Sequence, residues 1–301
     1  GENIADGRWT KKRKNSIKSS RVLSTRNLVS TLASMQNPPK IFISSSAVGF
    51  YGKNKPVELY EDLDSGKDFL SNVCKEWEQE AFKAKDYNIR TVALRIGIVL
   101  GYEGGAMKKM LPPFWAGVGG NLGDGNQWMS WIHIKDLVGM IIHCVENNSI
   151  QGVYNATSPE PVTNKDFTKC LAKVLKRPAL IPVPKLALKI ILGEMSDLLL
   201  GSLKVLSRKI VESGYKFKFP DLESALNDIC KNSTNEFVVE HWLPLPIDKV
   251  FSFFKETKNL GIKVYWSHTV IDTHGYKKLK QISIMGLSED GQSTVGDTVN
   301  I

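Results

Sequence analysis

Cysteine, histidine and long apolar runs are all scarce in this 301-residue chain. Cys74, Cys144, Cys170 and Cys230 are too far apart for a disulfide framework or a paired-cysteine metal knuckle, and they fit the reduced thiols of a cytoplasmic protein. His133, His143, His241, His268 and His274 lack the close spacing of a zinc site, so no metal is expected. The richest apolar stretch, Leu186 to Leu206, is interrupted by Lys189, Glu194, Asp197 and Lys204, which excludes a membrane span; no membrane partner is expected. Nor does the start at Gly1 read as a signal peptide. A net charge of +9 invites a nucleic-acid reading, and Lys11 to Lys14 form the tightest basic run. No basic patch interleaves with aromatic residues, however, so no nucleic-acid partner is expected. Thr10 can instead cap a helix whose solvated first turns carry that run, with Leu28, Leu32 and Met35 facing inward.

What is present describes an ordinary globular chain, 42% hydrophobic and 24% charged, long enough for one large or two modest domains. Its most informative stretch is IFISSSAVGFYG, Ile41 to Gly52, an uncharged apolar run ending in three serines. It reads as a covered parallel strand opening into a loop at its carboxyl end, where open α/β sheets bind ligands. A plain polar turn is the competing reading. Val73, Trp77, Ala81 and Ala84 then recur at helical spacing, and Thr91 to Leu100, TVALRIGIVL, is a second β-prone run. Strand, helix and strand make a parallel βαβ unit of a doubly wound sheet.

Further on, Trp128 to Ile134 leads into a helix with Leu137, Val138, Ile141, Ile142 and Val145 on one apolar face. Gly152 to Ala156 reads as a third strand, Thr163 with Asp166 as a capping box, and Lys216 to Phe219 as a short strand. The glycines 117, 119, 120, 123 and 125 are not spaced as a phosphate-binding G-x-G-x-x-G and predict a mobile substrate-side loop. Lys231 to Asn235, KNSTN, is the clearest linker, and β-prone α+β texture follows from Phe237.

Three ordered segments, SSSAVGFYG from Ser44, LRIGIVLG from Leu94 and WIHIKDL from Trp131, together resemble the extended short-chain dehydrogenase/reductase superfamily. The similarity is greatest to its atypical epimerase-like family and extends over about residues 1 to 230, with FLSNVCKEWEQEA from Phe69 and NATSPEPVTNKDF from Asn155 in support. It implies hydride transfer with NADP or NAD on a small-molecule substrate. It implies Ser46 and Lys75 as catalytic candidates, with Tyr51, in the loop after the serines, as a substitute acid, and Ser44, Ser45, Lys75, Arg95 and Gly97 on the cofactor side. Trp128, Ser130, Trp131 and His133 would line the substrate pocket. A structural ion pair is the alternative for Arg95, and simple packing for Tyr51 and the tryptophans.

The family pattern places a catalytic tyrosine one turn before the lysine, and Ser71 stands there. A serine hydroxyl titrates far above a phenol and cannot simply replace it as base. By the family's order the glycine-rich first half of the sheet precedes Gly1, so the resemblance implies an N-terminally truncated unit, with dinucleotide binding in doubt unless a companion chain supplies that half. FVVEHWLPLPIDKVFSFFKETKNL from Phe237 resembles the opening of a polyketide-cyclase-like, helix-grip domain. The expected fold is therefore α/β, the C-terminal half of a Rossmann-like doubly wound parallel sheet over residues 1–230. A linker, 231–235, and a small partial α+β helix-grip-like domain, 236–301, complete it. An epimerase-like oxidoreductase, a non-catalytic dinucleotide or metabolite sensor, and a hydrophobic-ligand binder all remain open functions.

Overall fold

The computed structural model describes residues 1–231 except Asp6 and Glu103, together with the backbone of two short strands at 236–238 and 263–265. The chain divides into two compact units, Gly1–Cys230 and Lys231–Ile301.

The first unit opens with α1 (Lys11–Ala33), whose Thr10 cap accepts from the Arg13 amide. Ile17, Val22, Thr25 and Val29 form its buried stripe, whereas Leu28 and Met35, expected inside, are nearly half exposed. Then come β1 (Ile41–Ala47), a tight 3-10 turn at Val48–Tyr51, β2 (Asn54–Leu59), α2 (Phe69–Phe82), β3 (Arg90–Ile96) and β4 (Ile98–Gly101). The expected continuous strand Thr91–Leu100 is thus broken at Gly97. α3 (Gly105–Trp115), β5 (Trp128–Met129), β6 (Trp131–His133), α4 (Ile134–Glu146), β7 (Gly152–Ala156), β8 (Val162–Thr163) and α5 (Asn164–Leu175) follow. The unit closes with α6 (Lys185–Leu192), α7 (Asp197–Leu200), β9 (Ser202–Val205), α8 (Arg208–Glu212) and α9 (Leu222–Lys231). Lys216 to Phe219, expected as a strand, is irregular; its backbone amides at Lys218 and Phe219 donate to the buried Asp136 carboxylate.

β1, β3 and β7 form a parallel sheet in that order, so β1 has a neighbour on one side only among the described residues. α2 lies over one face and α4 over the other, as both faces of a parallel sheet require. The orientation of α4 differs from the sequence expectation. Leu137, Met140 and Cys144 pack against Val92, Leu94 and Ile132, while Val138, Ile142 and Val145 are about half exposed. The α4 carboxyl end is held by Arg90, whose Nη1 donates to the Cys144, Asn147 and Ile150 carbonyls and Nη2 to that of Val145. A cation there meets both the orphan carbonyls and the negative end of the helix dipole.

A second core joins α3, α5 and α9 around Trp131, Phe167, Leu171 and Leu226. The Thr163 cap accepts from the Asp166 amide, as the capping box predicts. The glycine-rich loop, expected to be mobile, is zipped to the segment before α6. Ile181 donates to Gly119, Val183 to Asn121, and Gly123 back to Val183. A Cβ at Gly120 would run into the Ile181 carbonyl, so close backbone approach accounts for that glycine.

In the second unit, β10 (Glu236–Val238) and β11 (Lys263–Tyr265) pair in parallel with Phe237 opposite Val264. Most of the stretch from Phe237 that resembles a helix-grip opening lies outside the described residues, as does the linker after Lys231.

Candidate functional site

Parallel pairing sets Ser46 beside Arg95 at the carboxyl end of the sheet. Strand alternation buries Ser44 and Ser46 on one face and leaves Ser45 exposed on the other. Behind this edge lies a buried polar network. The Ser46 hydroxyl donates to Glu78 Oε1 at 2.6 Å, and Arg95 grips the same carboxylate bidentately, with Nε to Oε1 and Nη2 to Oε2 both 2.9 Å. Arg95 Nη1 donates to the Tyr51 hydroxyl at 3.0 Å and to the Glu61 carbonyl at 3.2 Å. Its guanidinium carbon lies 3.3 Å from the Phe50 ring centroid. Tyr51 in turn donates to Asn155 Oδ1 at 2.7 Å, and the Asn155 backbone amide donates to Glu61 Oε1 at 3.1 Å.

The electrostatics follow from this burial. Desolvation pushes the Tyr51 phenol above its ordinary value, against the opposing pull of Arg95. Burial would lower the Arg95 guanidinium, but Glu78 outweighs it and raises it. Tyr51 is therefore a neutral phenol whose proton is committed to Asn155, and the Ser46 proton is committed to Glu78. The ion pair that is the alternative reading of Arg95 is present, with Glu78.

α2 presents its candidates unevenly. Ser71, at the position of the family tyrosine, is fully buried and its hydroxyl is within hydrogen-bond reach of Asp68 Oδ1 (2.8 Å) and the Gly49 carbonyl (3.2 Å). Lys75 is exposed and makes no hydrogen bond or ion pair among the described residues. Besides Glu78, α2 sets Cys74 next to Ser46, and its thiol is pushed up to about 12 by burial first and by Glu78 second. Cys144 is likewise pushed up to about 11 by burial. Titration of the native chain with a thiol reagent at pH 8 is expected to modify the half-buried Cys170 quickly and Cys74 and Cys144 only after unfolding. Fast native labelling of Cys74, read by peptide mapping, contradicts this burial.

The remaining candidates serve largely as internal pins. A Cβ on Gly97 would clash with the Ser130 carbonyl oxygen and touch Thr157 Cγ2 at 3.0 Å. Ser130 donates to the Leu203 carbonyl and accepts from the Val205 amide. Trp131 is fully buried with its Nε1 on the Glu160 carbonyl, and Trp128 is half-buried beside the Lys204 ammonium. His133 caps α4 by accepting the Lys135 amide at Nδ1, stacks on Phe219, and sets Nε2 3.2 Å from Asp228. The structure thus joins Tyr51 to Arg95 directly and Ser46 to Arg95 through Glu78, and does not bring Lys75, Trp128 or His133 into their hydrogen-bonded network. Sequence reasoning missed Glu78, Glu61 and Asn155 as network members. A signal for such partners existed, since a strand-borne arginine must find a carboxylate and acceptors once buried.

Among the described residues, the starts of α2 and α4 do not suit the pyrophosphate end of a dinucleotide. Both lie next to the sheet and carry their own acids, Asp68 and Asp136, which oppose a phosphate. The tight glycine approach at Gly97 is to this chain's own backbone.

The sequence pattern of the NAD dependent epimerase/dehydratase family matches residues 1–157, and a domain of unknown function, DUF1731, matches residues 183–229. Epimerase family protein YfhF of Bacillus subtilis is 42% identical over 224 residues, 74% of this chain and 74% of YfhF. The chloroplastic SDR39U1 homolog of Arabidopsis thaliana is 41% identical over 224 residues, and the chain spans only 64% of its length. The fold matches the crystal structure of human epimerase family protein SDR39U1 (isoform 2) with NADPH at a TM-score of 0.72 and 34% identity, over 77% of this chain and 80% of that one. A parallel Rossmann-like sheet with serines at its carboxyl edge defines an α/β protein of the short-chain dehydrogenase/reductase type. The chain belongs to the NAD dependent epimerase/dehydratase family.

Proposed function

We propose that residues 1–230 supply the substrate-side wall of an NAD(P)-linked epimerase-type oxidoreductase acting on a small molecule. Residues 231–301 form a separate compact unit. The observation that carries this reading is the hydroxyl-lined carboxyl edge of β1, locked from behind by Arg95 and Glu78. Ser45 faces the ligand, Ser46 and Tyr51 hold the wall rigid, and Lys75 is the cation available to a cofactor ribose. Trp128 borders the substrate, with Ser130 pinned behind it, and NADPH, found with the human relative, is the cofactor tested first.

A companion segment, on this or another polypeptide, pairing along the open edge of β1 would bring the pyrophosphate cradle. Half-exposed Val138, Ile142 and Val145 on α4 and Leu28 on α1 support it, because they lie on the elements that flank the sheet. By itself the chain is expected to bind NADPH more weakly than about 100 μM in a calorimetric titration, and micromolar binding overturns the companion. With a polypeptide carrying a glycine-rich strand–turn–helix added, NADPH binding and turnover are expected together, and both Ser46→Ala and Lys75→Ala should lower that turnover. Unchanged turnover in both variants rejects the catalytic assignment. Binding restored without turnover favours the sensing reading, which the buried Ser71 supports by leaving the family's base position without a phenol.

A further inference from the structure

Along α5, Lys165, Lys169 and Lys173 recur at intervals of four residues, which puts their side chains on one helix face, and Lys176 follows at the helix carboxyl cap. With Arg177 they line one side of a groove of about 610 Å³ whose other wall includes Pro178, Ala179 and Leu180. Leu180 is 83% exposed, more than any other large apolar residue described. The chain then runs through exposed Ile181 into α6, where Leu186 and Ile190, one turn apart, are 69% and 61% exposed beside Lys185 and Lys189. From Lys165 to Ile191 there are seven lysines and arginines, and Asp166 is the lone acid. Of the seven, Lys173 and Lys185 have acidic partners, Glu223 and Asp124.

Cations in a row beside aliphatic side chains in water are poorly suited to most occupants. A second copy would set seven cations against seven, and lysine is depleted in protein interfaces. Nucleic acid would use the lysines but offers nothing to exposed leucine and isoleucine, and no aromatic stacking platform accompanies them. An anionic lipid surface satisfies both halves, since headgroups take the ammonium groups while the aliphatic tips enter the acyl boundary. We propose that the α5–α6 face docks on an anionic membrane surface, with Leu180, Leu186 and Ile190 as the inserting residues. This is peripheral contact. No helix among the described residues is long and apolar enough to cross a membrane, and the docking proposed here departs from the sequence expectation of no membrane partner.

The test is co-sedimentation of the full chain with vesicles of phosphatidylcholine alone and with about one third phosphatidylglycerol, at about 0.1 M salt. The chain is expected to sediment with the anionic vesicles and not with the neutral ones. Raising salt to about 0.5 M, or combining Lys169→Glu with Lys176→Glu, should weaken binding by about tenfold or more. The triple variant Leu180→Ser, Leu186→Ser, Ile190→Ser should do the same at low salt. These side chains are exposed, so circular dichroism and the thermal midpoint should match the parent and separate lost docking from lost folding. Three outcomes overturn the proposal: no sedimentation with anionic vesicles, sedimentation indifferent to the triple substitution, or a sedimentation-velocity dimer abolished by it. RNA binding that excess anionic vesicles fail to compete away does so as well.

Discussion

Glu78→Ala is expected to destabilise the first unit by about 3–5 kcal/mol in urea unfolding, with a loss of this size also for Arg95→Ala. The carboxylate is 6% exposed and holds Arg95 by two 2.9 Å bonds while accepting from Ser46. Removing it leaves a guanidinium that is 3% exposed facing Phe50 and a hydroxyl with no acceptor. The cost comes mainly from the stranded charge, because an intact buried pair contributes little net stability over a well-packed apolar one. The double variant Glu78→Leu with Arg95→Met should therefore recover a large part of the loss. A change of less than about 1 kcal/mol for Glu78→Ala would mean that water reaches Arg95, and that the wall behind the serines is not rigid.

The same network shows what a sequence can and cannot reveal. β1, α2 and β3 were legible because their apolar runs match strand and helix periods, and the Thr10 and Thr163 caps because capping chemistry is local. The rotation of α4 was not legible. Its isoleucines and valines outnumber the residues that face the sheet, so composition favoured Val138 and Ile142 over the Met140 and Cys144 that pack there. One residue along a helix turns a side chain by about 100°, and tertiary packing alone decides between neighbours such as Cys74 and Lys75. The glycine loop misled for a similar reason. Its glycines admit the backbone of residues 181–183, a partner some sixty residues away.

Gly97→Ala carries the second large effect and distinguishes two reasons for one glycine. The family resemblance gives Gly97 to the cofactor, on the ground that a nicotinamide passing close by needs a bare backbone. The structure gives it a partner already present. Gly97 donates its amide to Ala156, Ile98 donates to the Ser130 carbonyl, and an added Cβ would overlap that same carbonyl oxygen. The obstacle is backbone at the start of the β4–β6 pairing, and Ser130 is itself anchored to Leu203 and Val205, so neither side can step aside cheaply. Overpacking of this kind costs about 1–3 kcal/mol in ordinary cores, and a clash with fixed backbone falls at or above the upper end. Gly97→Ala is therefore expected to lose about 3 kcal/mol in urea unfolding of the chain with no dinucleotide added. If stability is unchanged and only NADPH binding to the companion-completed protein falls, the glycine belongs to the cofactor.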